Sequence, residues 1–334
     1  MTIPFPSANG AVVTWLYDVH VYPKNAIADK PVKTIADRPN SVVIGSNVTW
    51  TITQKIPTLS STAASFTDAK VEDTLDPRLT YVSSTVNIVP TPTAPKLDLV
   101  AEDFTFTSVS GQLTWTLSST GLEKLKDNQD SSLVVSVVTT VNDVASGELT
   151  PGKIANAATV TINKKPGVAP PSYTYWGNLV VNKLEGVTPL AGAVFDVFDM
   201  TEATCATTHP GGTALATGTS DTTGVVQWGN PAAGHQGLWI ANSNTELTNP
   251  TKAYCLYETQ APAGYTKITT PTVVTITTAD LATLTQDIQN VKVPGPDLPL
   301  TGSSGTIMLT IAGLGLIGLG TGGIMLRRRT AKRN

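Results

Sequence analysis

The chain has 334 residues, enough for two domains of ordinary size and a tail. Only 14% of the residues are charged, and the net charge is -3. No basic stripe exists outside the C-terminal tail, which argues against nucleic acid as a partner.

The first ten residues, MTIPFPSANG, carry neither a basic region nor an apolar run, so no signal peptide is visible. The segment WLYDVHVYPKN (Trp15 to Asn25) alternates Trp15, Tyr17, Val19 and Val21 against Leu16, Asp18, His20 and Tyr22. That is a strand with two distinct faces, and Pro23 ends it because proline cannot donate to a ladder. Further strands are expected over Val48–Ile56, Leu79–Val89, Leu113–Leu117, Ser132–Val141 and Ala155–Asn163. Only GLEKLKDN (Gly121 to Asn128) looks helical. KKPGVAPPSYTY (Lys164 to Tyr175) is rich in proline and poor in periodicity, and reads as a stiff linker. A second set of strands follows, over Gly177–Glu185, Ala193–Met200, Val225–Gly229, Ala253–Gln260 and Thr272–Thr278. Strands at this spacing predict an all-β chain of two tandem immunoglobulin-like β-sandwich domains. The expected boundaries are an N-terminal segment 1–29, a first domain 30–165, a linker 166–175, a second domain 176–293 and a tail 294–334.

The tail carries LPLTG (Leu298, Pro299, Leu300, Thr301, Gly302), then an uncharged run over 306–326, then Arg327, Arg328, Arg329, Lys332 and Arg333. A bilayer-spanning helix needs about 20 largely apolar residues, and the run supplies them. The basic cluster would hold the C-terminus in the cytoplasm and place everything before Leu298 outside the cell. In an extracellular chain Cys205 and Cys255 are expected to pair, and closing that loop is worth roughly 4 kcal/mol. His20, His209 and His235 show no metal-ligand spacing, and no cofactor motif appears. No catalytic constellation for turnover is present, so the chain reads as a structural protein and not an enzyme.

The order of pentapeptide, apolar span and basic tail resembles the cell-wall sorting signal of Gram-positive bacteria. That resemblance implies a sortase that cuts between Thr301 and Gly302 and passes the Thr301 carbonyl to an amine. NLVVNKLE, YETQAPAGY and DIQNVK resemble a Cna B-type domain. The resemblance implies a spontaneous isopeptide bond between Lys183 and Asn290, with Glu258 moving protons. KPVKTI, VEDTLDPRLTYV and KIANAATV resemble a Cna A-like domain, which implies a bond from Lys33 to Asn156 with Asp73 as the acid. There Lys30 competes with Lys33, and Asn163 with Asn156. WLYDVHVYPKN resembles a pilin motif, whose lysine, here Lys24, takes the Thr301 carbonyl of a neighbouring subunit.

Taken over nearly the whole chain, the resemblance is to the major shaft pilin of sortase-assembled pili. It implies as partners a pilin-specific class C sortase, other copies of the chain, tip and base pilins, a housekeeping sortase with peptidoglycan, and host receptors. The alternative is a monomeric wall-anchored adhesin, for which Lys24 is irrelevant. Shaft pilins have a further β domain before the pilin motif. Here only fourteen residues precede Trp15, so the sequence is expected to begin downstream of the true start or to belong to a short subunit.

Overall fold

β-Branched residues that alternate with small polar ones dictate most of what the chain forms. The structure, a computed structural model, describes residues 29–37, 42–59, 65–90, 95–142, 152–229, 234–278 and 283–294. The first module contains β1 (Val32–Ile35), β2 (Asn47–Lys55), β3 (Ala69–Thr74), β4 (Leu79–Val89), β5 (Leu97–Asp98), β6 (Phe104–Val109) and β7 (Gln112–Leu117). The helix α1 (Ser119–Asp127) follows, then β8 (Ser132–Val141) and β9 (Lys153–Ile162). The long strand β10 (Lys165–Glu185) runs on into the second module. That module adds β11 (Thr188–Pro189), β12 (Val194–Asp199), β13 (Ala216–Ser220), β14 (Val226–Trp228) and β15 (Gln236–Ser243). It closes with β16 (Thr251–Gln260), β17 (Thr272–Thr277) and β18 (Thr283–Gln289).

Each module is a two-layer β fold around its own core. In the first, a sheet in the order β1-β2-β8-β4-β5 lies over β10-β9-β3-β7-β6. β8 shows why: Leu133, Val135, Val137, Thr139 and Val141 are buried, and the residues between them are only half-buried. That inward row meets Trp50, Val71 and Trp115 in one cluster. In the second module, β10 pairs antiparallel with β15 and parallel with β18, over a sheet in the order β14-β13-β12-β16-β17. Leu179, Val181, Phe195, Trp228, Tyr254 and Ile276 fill the space between. The one helix among the described residues falls where GLEKLKDN placed it, capped by Ser118, whose hydroxyl accepts from the Gly121 amide.

The linker expectation for 166–175 is corrected. That stretch is strand, paired with β9 from Lys165↔Ile162 to Tyr175↔Lys153. Pro170 and Pro171 are tolerated because they sit in a break of register between Ala169 and Ser172, where no ladder donor is needed. The two modules therefore share one strand. Their joint is tight: the Ile44 amide donates to Gly237 O (3.1 Å), and the Trp239 amide donates to Val42 O (3.0 Å). A β-carbon on Gly237 would stand 2.2 Å from the Ile44 side chain, so only glycine fits there.

No helix among the described residues is long and apolar enough to cross a membrane. The expected span 306–326, the LPLTG pentapeptide Leu298–Gly302 and the segment holding Lys24 all lie outside the described residues.

Candidate functional site

β1 carries Lys33 inward, against β3 and β9 of the facing sheet. Asp73 on β3 pairs with Ala158 on β9, so Asn156, two residues along, points to the same face as Ala158, diagonal to Asp73. All three side chains meet inside the first core. The Lys33 amine donates to Asp73 Oδ2 at 2.6 Å, and both side chains are fully buried. It also donates to the carbonyl of Ala157 at 3.3 Å. The residues opposite Ala157 in β10, Pro170 and Pro171, have no N–H to offer it. The amine lies 5.6 Å from the centre of the buried Trp50 ring. Neither polar atom of the Asn156 side chain has a hydrogen-bond partner, and nor does Asp73 Oδ1.

Burial dominates the electrostatics of this set. It lowers the Lys33 pKa to about 8 against the opposing pull of Asp73. It raises the Asp73 carboxyl above the usual range, although the Lys33 charge and the nearby Asn156 amide work the other way. Both shifts favour the neutral forms, a free amine beside a carboxylic acid. Geometry also separates the competing residues. Lys30 is exposed, and Asn163 sits in the β9–β10 turn at φ 51°, its side chain accepting from the Thr67 amide.

The second set is built from β10, β16 and the residue after β18. Parallel pairing sets Lys183 opposite Ile288. The Lys183 amine donates to the Ile288 carbonyl at 2.8 Å and lies 3.9 Å from Glu258 Oε1. Asn290 is fixed by its amide, which donates to Leu184 O at 3.0 Å. Its Nδ2 donates to Glu258 Oε2 at 3.3 Å. The same carboxylate oxygen accepts the Ile268 amide at 2.6 Å, which aims Glu258 from the far side. Glu258 Oε1 and Asn290 Oδ1 have no hydrogen-bond partner. Burial lowers the Lys183 pKa to about 8 against the pull of Glu258. Gly224 makes room for this arrangement: its φ is +80°, and a β-carbon there would meet Lys183 O at 2.7 Å.

The two sets share one plan. A buried lysine amine is held by a backbone carbonyl within two residues of the asparagine, with a buried carboxyl alongside. Neither carbonyl is visible as a side-chain motif, and only the Pro170–Pro171 pair hinted at a gap beside Ala157. Both polar atoms of the Asn156 amide, and the oxygen of the Asn290 amide, have nothing to satisfy them, at a cost of about 1–3 kcal/mol per buried group.

Away from both sets, Cys205 and Cys255 form a disulfide with their Cα atoms 5.6 Å apart. It ties the loop after β12 to β16. Tyr257 helps by donating to Ala206 O at 2.8 Å, and its ring meets His209 and Phe198 edge-on.

Comparison with known proteins agrees with this architecture. Residues 177–292 match the SpaA family, described as a prealbumin-like fold domain, and residues 290–332 match the LPXTG cell wall anchor motif. The chain is 31% identical over its whole length to fimbrial subunit type 2 of Actinomyces naeslundii, of which it covers 67%. Its fold is similar to that of the Actinomyces fimbrial adhesin FimA, with a TM-score of 0.60 at 22% identity, over 79% of this chain and all of that one. Domains D2 and D3 of the major pilin SpaD from Corynebacterium diphtheriae give the same TM-score at 24% identity, over 79% of this chain and 99% of theirs. The chain belongs to the family of fimbrial subunits, as a structural, non-enzymatic subunit of a sortase-assembled pilus anchored to the Gram-positive cell wall.

Proposed function

We propose that this subunit forms the shaft of the pilus and is covalent at two levels: within each module and between neighbours. The observation that carries the first level is the pair of buried lysine, carboxyl and asparagine sets, with their lowered amine pKa values and unpartnered amide atoms. In each set the neutral amine attacks the asparagine side-chain carbon. A C–N bond forms to lysine, the bond to the asparagine NH2 group breaks, and ammonia leaves. The carboxyl of Asp73 or Glu258 takes the proton from the attacking nitrogen and gives it to the departing one. The fold supplies the effective concentration, so no external catalyst is needed. The reaction removes a buried ionisable amine in each set, and at Asn156 an unsatisfied donor with it, which gives it a direction.

Between subunits, a pilin-specific class C sortase joins Lys24 of one copy to Thr301 of the next. A housekeeping sortase links the last subunit to peptidoglycan, tip and base pilins complete the fibre, and the shaft supports adhesion to host receptors. Noncovalent domains are stable by only about 5–15 kcal/mol, too little for sustained tension. A bond from β1 to β9, and another from β10 to the end of β18, carries load where hydrogen bonds would shear.

Co-expression of the full-length precursor with the pilin sortase tests the intersubunit joint. The wild-type chain is expected to give ladders of SDS-resistant multimers, and Lys24→Ala to give monomer only. Ladders that persist in Lys24→Ala would overturn Lys24 as the acceptor, and a wild-type chain that gives no ladder would leave the monomeric adhesin as the better reading.

A further inference from the structure

The strand that carries Lys33 is short, and its outer edge is held by the other module. β1 has four residues and, among the described residues, pairs on one side only, with β2. An edge strand of this length presents unpaired backbone groups and frays unless something meets them. Here side chains meet them. The Ile35 amide donates to Asn244 Oδ1 at 2.7 Å. Asn242 Nδ2 donates to Ala36 O at 2.8 Å. The Ser172 hydroxyl lies 2.8 Å from Lys33 O and 3.1 Å from Asn244 Oδ1, sharing its one proton between them. Asn242 is at the end of β15 and Asn244 just beyond it, both in the second module.

This loop is itself seated on the first module. Glu246 pairs with Lys153 of β9 at 2.6 Å, and the Leu247 amide donates to the Tyr175 hydroxyl at 2.7 Å. Asn242 Oδ1 accepts from the Thr174 hydroxyl and from the Trp239 indole, at 2.8 and 2.9 Å. The second module therefore delivers an acceptor, Asn244 Oδ1, to the backbone two residues from Lys33.

We propose that Asn244 is a positioning residue for the Lys33–Asn156 bond, so that cross-linking of the first module waits for the second module to dock. The amine must sit within bonding reach of the Asn156 carbon, and a displacement of about 1 Å is enough to cost about a hundredfold in rate. β1 sets that distance, and Asn244 and Ser172 hold β1 from the outside. Asn244 itself is exposed, so replacing it disturbs no core. The inference rests on the cross-link proposed above at Lys33, and the experiment separates the two.

The test follows ammonia loss at each site, by mass spectrometry of site-specific peptides, as the whole chain refolds. In wild type both sites react. In Asn244→Leu the first site is expected to slow by about tenfold, the kinetic equivalent of about one net hydrogen bond, while the second keeps its rate. Asn244→Asp, which keeps the acceptor, is expected to restore the first site to within about twofold. An unchanged first-site rate in Asn244→Leu, equal slowing of both sites, or failure of Asn244→Asp to restore would each overturn the role of Asn244. Absence of ammonia loss at the first site in wild type would instead overturn the cross-link itself.

Discussion

Replacing Glu258 by glutamine is expected to prevent the proposed cross-link in the second module, and the chain to melt about 10–20 °C below wild type. A bond that closes a loop of roughly 100 residues restricts the unfolded chain by about 4.7 kcal/mol. For a protein of this size each kcal/mol moves the melting temperature by about 2–4 °C. Glutamine suits the test because its side-chain oxygen still accepts the Ile268 amide, which alanine would strand. What it loses is the ability to carry a proton from the Lys183 amine to the leaving nitrogen. Calorimetry reads the shift, and the intact mass is expected to fall short of the variant's own sequence mass by one ammonia fewer than wild type falls short of its own. A Glu258→Gln chain that sheds as much ammonia as wild type would remove Glu258 from the chemistry.

Cross-link formation in a freshly refolded chain is expected to slow about tenfold for each pH unit below 8. Both amines, Lys33 and Lys183, are held down to about 8 by burial. Only the neutral amine attacks, and its fraction falls by that factor per unit on the acid side. Two units below the plateau the rate is about a hundredfold lower. The same shifts fix the sign for stability before the bonds form. The folded-state pKa is depressed from 10.5, so between about 8 and 10.5 the unfolded chain binds more protons, and stability rises with pH through that window. Below about 8 the folded chain must bury two charged amines and this contribution is lost. Refolding of unreacted chain from denaturant across this range, with ammonia loss followed by mass, gives the profile. A rate that stays flat from pH 6 to 8 would show that the amine proton does not limit the reaction.

The layers and most inward rows were legible in the sequence because period-two alternation survives wherever one face of a strand meets solvent. β8, with Leu133, Val135 and Val137 inward, is the plain case. β15 is harder, because Gln236, Gly237, Leu238, Trp239 and Ile240 are buried in succession between the second core and the Ile44 segment, and alternation vanishes. The proline-rich stretch before Ser172 misled for a related reason. Two prolines in a bulge look like the end of order, although the ladder resumes at once beyond them.

The make-up of the two buried sets was legible at the level of residue type. Lys183, Glu258 and Asn290 are far apart in the chain, and only the short stretches around them marked them out. Choosing Lys33 over Lys30, or Asn156 over Asn163, needed burial, which four residues of a short edge strand do not reveal. The Ile288 carbonyl and the contacts of Asn244 were out of reach altogether, and the Ala157 carbonyl left only the proline pair opposite it as a hint. Backbone acceptors leave no trace in residue identity, and an asparagine after a strand reads as an ordinary turn residue.

The central claim, that both modules close a covalent bond between buried lysine and asparagine, is tested most directly by one intact-mass measurement on the folded wild-type chain, read beside Lys33→Ala and Lys183→Ala. Allowing for the disulfide, the wild-type mass is expected to fall short of the sequence mass by two molecules of ammonia, and each variant by one. A wild-type chain at its full sequence mass, or a deficit unchanged in both variants, would contradict the account.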